Sequence, residues 1–287
     1  MSMNINWYPG HMKKTRESIQ KNLKMIDIVF ELLDARIPYS SQNPVIDSVV
    51  GSKPRIVLLN KSDLSDANGN RLWQEYYKNM GISSILLNSL SGKGVDDLVS
   101  EARRVMDEKR INNVKKGIIN QPIRAMILGI PNVGKSTLIN SLAGRKSAKT
   151  GNRPGITKTN QWIKTKGGIE LLDTPGILWP KFEEEQVGIN LAFTGAIKDE
   201  ILDTETLALK LVEKLMTVKP QALFDRYNIE MDNDYEPLEA MEAIAAKRGC
   251  LLKGGSYDYE KVSRIILDEF RRGMMGKITL EYPRRGE

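Results

Sequence analysis

Gly129-Ile130-Pro131-Asn132-Val133-Gly134-Lys135-Ser136 fills every position of the pattern G-x-x-x-x-G-K-[ST]. An apolar run, Ile123–Leu128, precedes it, and a helical pattern, Lys135–Leu142, follows. That strand–loop–helix setting makes the pattern a phosphate-binding loop. Its glycines let successive backbone N–H groups converge on phosphate oxygens where a Cβ would intrude. Lys135 supplies charge to the outer phosphates, Ser136 offers a hydroxyl to Mg²⁺, and the helix N-terminus adds its dipole. Asn132, Val133, Gly134, Lys135, Ser136 and Thr137 are therefore the expected phosphate-side contacts.

Downstream, the run Ile169–Leu172 ends in Asp173-Thr174-Pro175-Gly176. A carboxylate at the end of a parallel strand beside a phosphate loop holds Mg²⁺, usually through water. Gly176 lets a backbone N–H approach a γ-phosphate. Between the two motifs lies Pro154-Gly155-Ile156-Thr157. Thr157 is the candidate switch residue, giving a hydroxyl and a carbonyl to Mg²⁺ and the γ-phosphate. Thr159 is the alternative, and the choice between them stays open.

Upstream, Asn60-Lys61-Ser62-Asp63 closes the apolar run Arg55–Leu59. A carboxylate placed there accepts hydrogen bonds from N1–H and the exocyclic amine of guanine. Adenine lacks that donor pair, so the contact selects GTP over ATP. Asn88-Ser89-Leu90-Ser91, after the short run Ile85–Leu87, fits a second base-binding loop. Asn60, Lys61, Asp63, Asn88 and Ser89 form the expected base side of the pocket.

Short apolar runs alternate with helical patterns from Ile26 to about residue 180, which argues for a mostly parallel sheet covered on both faces. Gln161–Thr165 and Ile169–Leu172 read as a hairpin around Gly167-Gly168. Lys109–Gln121 is basic and reads as a linker. Beyond Pro180 the helical periods Val187–Ile197, Thr204–Met216, Pro220–Tyr227, Pro237–Lys247 and Tyr259–Arg272 take over. The expected organisation is a basic N-terminal segment over residues 1–25, an α/β domain over 26–178 and a helical domain over 179–287.

Composition narrows the function classes. The 287 residues are 40% apolar and 28% charged, enough for a core and unlike a disordered chain. A single Cys and a single His make a disulfide framework or a zinc site untenable. No apolar run reaches the ~18 residues of a membrane span. No secretory signal or lipidation motif is read at the termini, so a cytoplasmic protein is expected. The net charge of +7 favours a polyanionic partner. Basic clusters at Lys13, Lys14, Arg16, Lys21 and Lys24, at Arg103–Arg124 and near the C-terminus suit RNA, with Trp7 and Tyr8 available for stacking.

Taken together, the five motifs resemble those of translation-factor-type GTPases in altered order: the base-reading pair precedes the phosphate loop, the switch threonine and Asp173–Gly176. Trp7-Tyr8-Pro9-Gly10-His11-Met12, the stretch Asp173–Pro180 and the helical tail make the whole chain similar to the ribosome biogenesis GTPase A family. The resemblance implies a circularly permuted P-loop GTPase domain (α/β, mostly parallel sheet) with a C-terminal all-α, RNA-binding domain. It implies a GTP hydrolase acting late in assembly of the bacterial large ribosomal subunit. GTP/GDP and Mg²⁺ are the implied cofactors, and the large-subunit precursor and rRNA the partners. No membrane or DNA partner is expected, and the chain reads as a monomer. The alternative is a GTP-regulated RNA-binding assembly factor whose hydrolysis is incidental.

Catalysis needs a group that positions water. In Ras that group is a Gln following the D-x-x-G glycine. Here the position is Ile177, which cannot bond water. The resemblance places a catalytic His at His11; an rRNA contact or a helix cap is the other reading of that residue. Asn132 occupies the position that ligates K⁺ in potassium-dependent relatives, or simply bonds within its loop. If Asp63 reads guanine, Asp63→Asn shifts preference from GTP towards XTP, because xanthine presents a carbonyl where guanine has its amine. A binding titration showing unchanged GTP affinity would remove Asp63 from the base pocket.

Overall fold

The computed structural model describes residues 12–107, 109, 111, 115, 121–144, 161–165, 167–173, 184–229 and 236–283. They form two compact units, one α/β and one helical.

The α/β unit begins with α1 (Met12–Leu23), β1 (Ile28–Asp34), α2 (Pro38–Ser41) and α3 (Pro44–Val50). Then come β2 (Arg55–Asn60), α4 (Ala67–Asn79), β3 (Ser83–Leu86), α5 (Val95–Val105) and β4 (Ile123–Gly129). It closes with α6 (Lys135–Ala143), β5 (Gln161–Lys164) and β6 (Ile169–Asp173). One six-stranded sheet runs in the order β3-β2-β1-β4-β6-β5, parallel except for the β5–β6 hairpin. β1 lies near the middle, and all seven of its residues are buried. Burial on both faces explains why the sequence there is a nearly unbroken apolar run rather than an alternation.

Register sorts the faces. Val29 pairs with Met126, and Met126 with Leu172, so these side chains share a face. Ile19 and Leu23 of α1 join them in one apolar cluster with Ile46 and Val50 of α3. Further along the same face, Trp73 and Tyr77 of α4 cover Leu33, Val57 and Leu59. Asp66 caps α4 by accepting from Gly69 N at 2.7 Å.

Three local details differ from the sequence reading. Helices α2 and α3 were not anticipated; each is short, starts at a proline and lacks a full amphipathic period. α5 ends at Val105 rather than at Lys109: Met106 caps it, its N–H reaching the carbonyls of Ala102 and Arg103. In the stretch read as a linker, Lys109, Ile111 and Lys115 are helical, and most other positions fall outside the described residues.

The helical unit spans Glu184–Leu280. It contains α7 (Glu185–Phe193), α8 (Thr204–Val218), α9 (Pro220–Tyr227), α10 (Pro237–Lys247) and α11 (Tyr259–Arg271). α8 packs against the other four and buries Leu207, Leu211 and Leu215. Arg271 closes the end of α7, donating to the carbonyls of Ala192 and Phe193 while pairing with Asp199 at 2.7 Å. Glu269, buried, receives both Arg226 and Arg248 at 2.9 Å. Within the span expected to be helical, Glu281, Tyr282 and Pro283 count with the α/β unit. There Trp73 Nε1 donates to the Glu281 carbonyl at 2.9 Å, and Ser40 N to its carboxylate at 2.9 Å. Among the described residues no helix is long and apolar enough to cross a membrane.

Burial pushes the Glu269 carboxyl up, but the hydrogen bonds from Arg226 and the guanidinium charges of Arg248 and Arg226 outweigh it and hold it below the usual carboxylate range. A depressed carboxylate contributes stability above its ordinary pKa and loses it as pH falls through the folded value. Glu269→Ala strands two part-buried cations and is expected to cost about 2 kcal/mol at neutral pH, with the difference from wild type shrinking in acid. Thermal melts of both proteins across pH test this; an equal difference at every pH contradicts it.

Candidate nucleotide site

Four loops meet at the C-terminal ends of β1, β2, β3 and β4. β4 ends at Gly129, where a Cβ would stand 2.6 Å from the Leu32 carbonyl oxygen of β1. Only glycine lets the two strands approach there. The chain then turns through two left-handed positions, Asn132 at φ +56° and Gly134 at φ +104°, and enters α6 at Lys135. Lys135 is buried, and its Nζ donates to the carbonyls of Gly129 at 3.0 Å and Ile130 at 2.7 Å. The ammonium thus lies over its own loop, where phosphate oxygens would compete for it. Ser136 and Thr137 follow, half-buried, in the first turn of α6.

Asn60 joins this loop to the next. Its Nδ2 donates to the Val133 carbonyl at 2.7 Å, while its Oδ1 accepts from Ser89 N at 3.0 Å and Ser89 Oγ at 2.8 Å. Asn60 and Ser89 are both buried. Residues far apart in sequence are therefore held together by one amide. The second base loop is also braced from within, Asn88 Oδ1 accepting from the N–H groups of Leu90 and Ser91 at 3.0 Å each. Asp63 stands exposed on the turn that follows Asn60.

Lys61 adopts φ +58°, and its Nζ lies 2.9 Å from Asp34 Oδ2. Asp34 ends β1 and is 1% exposed. Arg36, equally buried, donates Nε to Asp34 Oδ1 at 2.9 Å and Nη2 to Oδ2 at 2.8 Å. Burial pushes the Asp34 carboxyl up, but Arg36 and Lys61 outweigh it and hold it well below the usual carboxylate range. Sequence reasoning missed this pair. The available signal was Leu33-Asp34-Ala35-Arg36, charges closing an apolar strand at the same end of the sheet as the phosphate loop.

The remaining expected site residues separate into two groups. Asp173 is placed at the end of β6, beside the phosphate-loop strand. His11, Thr157, Thr159, Gly176 and Ile177 lie outside the described residues. The structure thus brings together Asn60, Lys61, Asp63, Asn88, Ser89 and Asn132–Thr137, with Asp173 one strand away.

A phosphate loop at a strand–helix junction, tied to an N-K-x-D loop and a third polar loop on one sheet edge, defines a P-loop GTPase. The base loops come from strands that precede the phosphate loop in the chain, so its order is circularly permuted. Comparison with known proteins agrees. The family described as 50S ribosome-binding GTPase matches residues 124–235, a span that starts at the phosphate-loop strand and leaves both base loops outside. Ribosome biogenesis GTPase A of Priestia megaterium is 49% identical over 99% of both chains. That of Thermotoga maritima is 32% identical over 97% of this chain and 95% of its own. Two solved YlqF structures are each 28% identical: one GDP-bound, at TM-score 0.67 over 93% of this chain and 99% of the other, and one GNP-bound from T. maritima, at 0.62 over 94% and 98%. The chain belongs to the ribosome biogenesis GTPase A family and is a GTPase of ribosome assembly.

Asp34→Asn keeps the shape of the side chain and removes its charge, leaving Arg36 and Lys61 facing each other. A folding loss of about 3 kcal/mol is expected, together with weaker guanine nucleotide binding. Thermal melting and a fluorescent-GDP titration measure the two effects. Unchanged GDP affinity in a folded variant would detach Asp34 from the site.

Proposed function

We propose that this GTPase acts on a precursor of the large ribosomal subunit in the cytoplasm, binding rRNA as a monomer and coupling GTP hydrolysis to a late assembly step. The single observation that carries the nucleotide part is the Asn60 bridge between Val133 and Ser89, which fixes base and phosphate loops relative to one another. The ribosomal part is supported by the relatives' names and by the chain's net charge of +7.

Guanine would sit between Asp63 and the Asn88–Ser89 loop, its N1–H and amine donating to the exposed Asp63 carboxylate. The triphosphate would draw Lys135 Nζ away from the Gly129 and Ile130 carbonyls, and the N–H groups from Asn132 to Thr137 would close on phosphate oxygens. Ser136 lies in the first turn of α6 and Asp173 ends β6; their oxygens, with Thr157 as a third ligand, would suit a hard divalent ion. Among the described residues no group of three acidic, His or Cys side chains could hold a metal ion; phosphate oxygens would supply the remaining ligands. Mg²⁺ held by these residues would supply positive charge to offset that of the phosphates. Gly176 would offer its N–H to the γ-phosphate.

Ile177 cannot orient water, so the isolated protein should turn over slowly. His11 would complete the site once the basic segment 1–25 docks on RNA, and K⁺ at Asn132 would act separately. Single-turnover hydrolysis with and without large subunits, in K⁺ and in Na⁺, tests this. His11→Ala should lose about 100-fold of the particle-stimulated rate with GTP affinity nearly intact, the pattern of a contact made mainly in the transition state. Asn132→Ala should lose the K⁺ dependence. Full stimulation of His11→Ala returns that residue to an RNA contact, and no stimulation of wild type removes the large subunit as the target.

A further inference from the structure

Trp162 is 38% exposed on β5, the outermost strand of the described sheet. Register places it beside Leu172, on the sheet face that α1 and α3 cover over β1, β4 and β6. Among the described residues, none of β5 belongs to that apolar cluster. Two residues along the strands, Arg124, Glu170 and Lys164 form a row on the same face, paired across β4, β6 and β5. The Arg124 guanidinium stands 5.3 Å from the centre of the Trp162 ring. Its approach to Glu170 is 3.6 Å, too long for a hydrogen bond, and the Arg124 side chain is 46% exposed.

The surroundings are strongly cationic. Lys109, 49% exposed, pairs with Asp27, whose other oxygen accepts from Arg124 N at 3.0 Å. α1, lying on the same face, carries the exposed Lys21 and Glu17, and the exposed Lys24 follows it. A lysine on an edge strand has an ordinary explanation, since it discourages edge-to-edge pairing. That explanation does not account for a half-exposed tryptophan with a guanidinium laid over it. An aromatic ring with a guanidinium over it, flanked by cations, matches the requirements of an unpaired nucleotide: planar groups for the base to stack on and charge for its phosphates.

We infer that Trp162 and Arg124 form a stacking platform for an unpaired base of rRNA, with Lys164 and Lys109 on the adjoining phosphates; the inference rests on the ribosomal reading above. β5 lies between the segment holding Thr157 and the strand that ends at Asp173, so RNA seated there is joined directly to both nucleotide-sensing stretches of the chain.

The test uses the full chain and a short fluorescein-labelled oligouridylate, read by anisotropy across a salt series. Trp162→Ala should weaken binding about tenfold, the effect of losing one base stack, while Trp162→Phe retains most of the affinity. Lys164→Ala should flatten the slope of log K against log salt by about 0.7, the share of one phosphate on a single strand. GDP affinity should stay at the wild-type value in all three, which also shows that they are folded. Sedimentation of wild type with large subunits is the companion measurement. If wild type sediments with them and Trp162→Ala binds oligouridylate as wild type does, the platform is overturned and the ribosomal reading stands. If wild type does not sediment with them, that reading itself falls, and the platform with it. If Trp162→Ala keeps its oligouridylate affinity but leaves the particle, the surface meets protein and the RNA assignment is overturned.

Discussion

The carboxamide of Asn60 has a donor and an acceptor side, and the fold uses both. The donor side holds the Val133 carbonyl of the phosphate loop; the acceptor side holds the backbone and hydroxyl of Ser89. Buried hydrogen bonds of this kind are modest in net value, about 1 kcal/mol each, but costly to leave unmade. Their importance here is positional. A guanine and its phosphates are one covalently joined ligand, and a site that binds both ends does so best when its two halves are held at a fixed separation. Asn60 does this at the C-terminal end of β2, and the neighbouring Asp34–Lys61 pair fixes the backbone from the other side.

This arrangement also explains why altered motif order is compatible with an intact site. The loops are assembled by strand neighbours, with β1 paired to both β2 and β4, and not by proximity in sequence. Moving the base-reading strands ahead of the phosphate loop changes which ends are joined while the parallel pairing, and hence the loop cluster at one edge, is kept. What changes is connectivity. In chain order, Asp173 is followed by residues 174–183 and then the helical unit, and no longer by the base-reading strands.

Much of this was legible in the sequence because the motifs carry their own geometry. Gly129 and Gly134 mark places where a side chain cannot fit or a left-handed turn is needed, and Lys135 marks the first turn of a helix. The five C-terminal helices were readable from apolar spacing. Other features were not legible, for physical reasons. α2 and α3 are too short to show a period. Asp34 and Arg36 look like surface charges closing a strand and are recognisable as a buried pair only once β1 is known to lie inside the sheet. The bridge that Asn60 makes between Val133 and Ser89 is a role that a one-dimensional motif does not reveal. Trp162 reads as one more alternating residue of a hairpin until the sheet order places it at the outer edge.

The central claim is that the phosphate loop and the base loops act as one unit through Asn60. A double-mutant cycle on GDP affinity measures this directly, using wild type, Asn60→Ala, Ser89→Ala and the double variant. Once the Asn60 oxygen is absent, removing the Ser89 hydroxyl should cost little more, giving a coupling energy of about 1 kcal/mol. Additive losses, within about 0.3 kcal/mol, would show that the two residues act independently and contradict the claim.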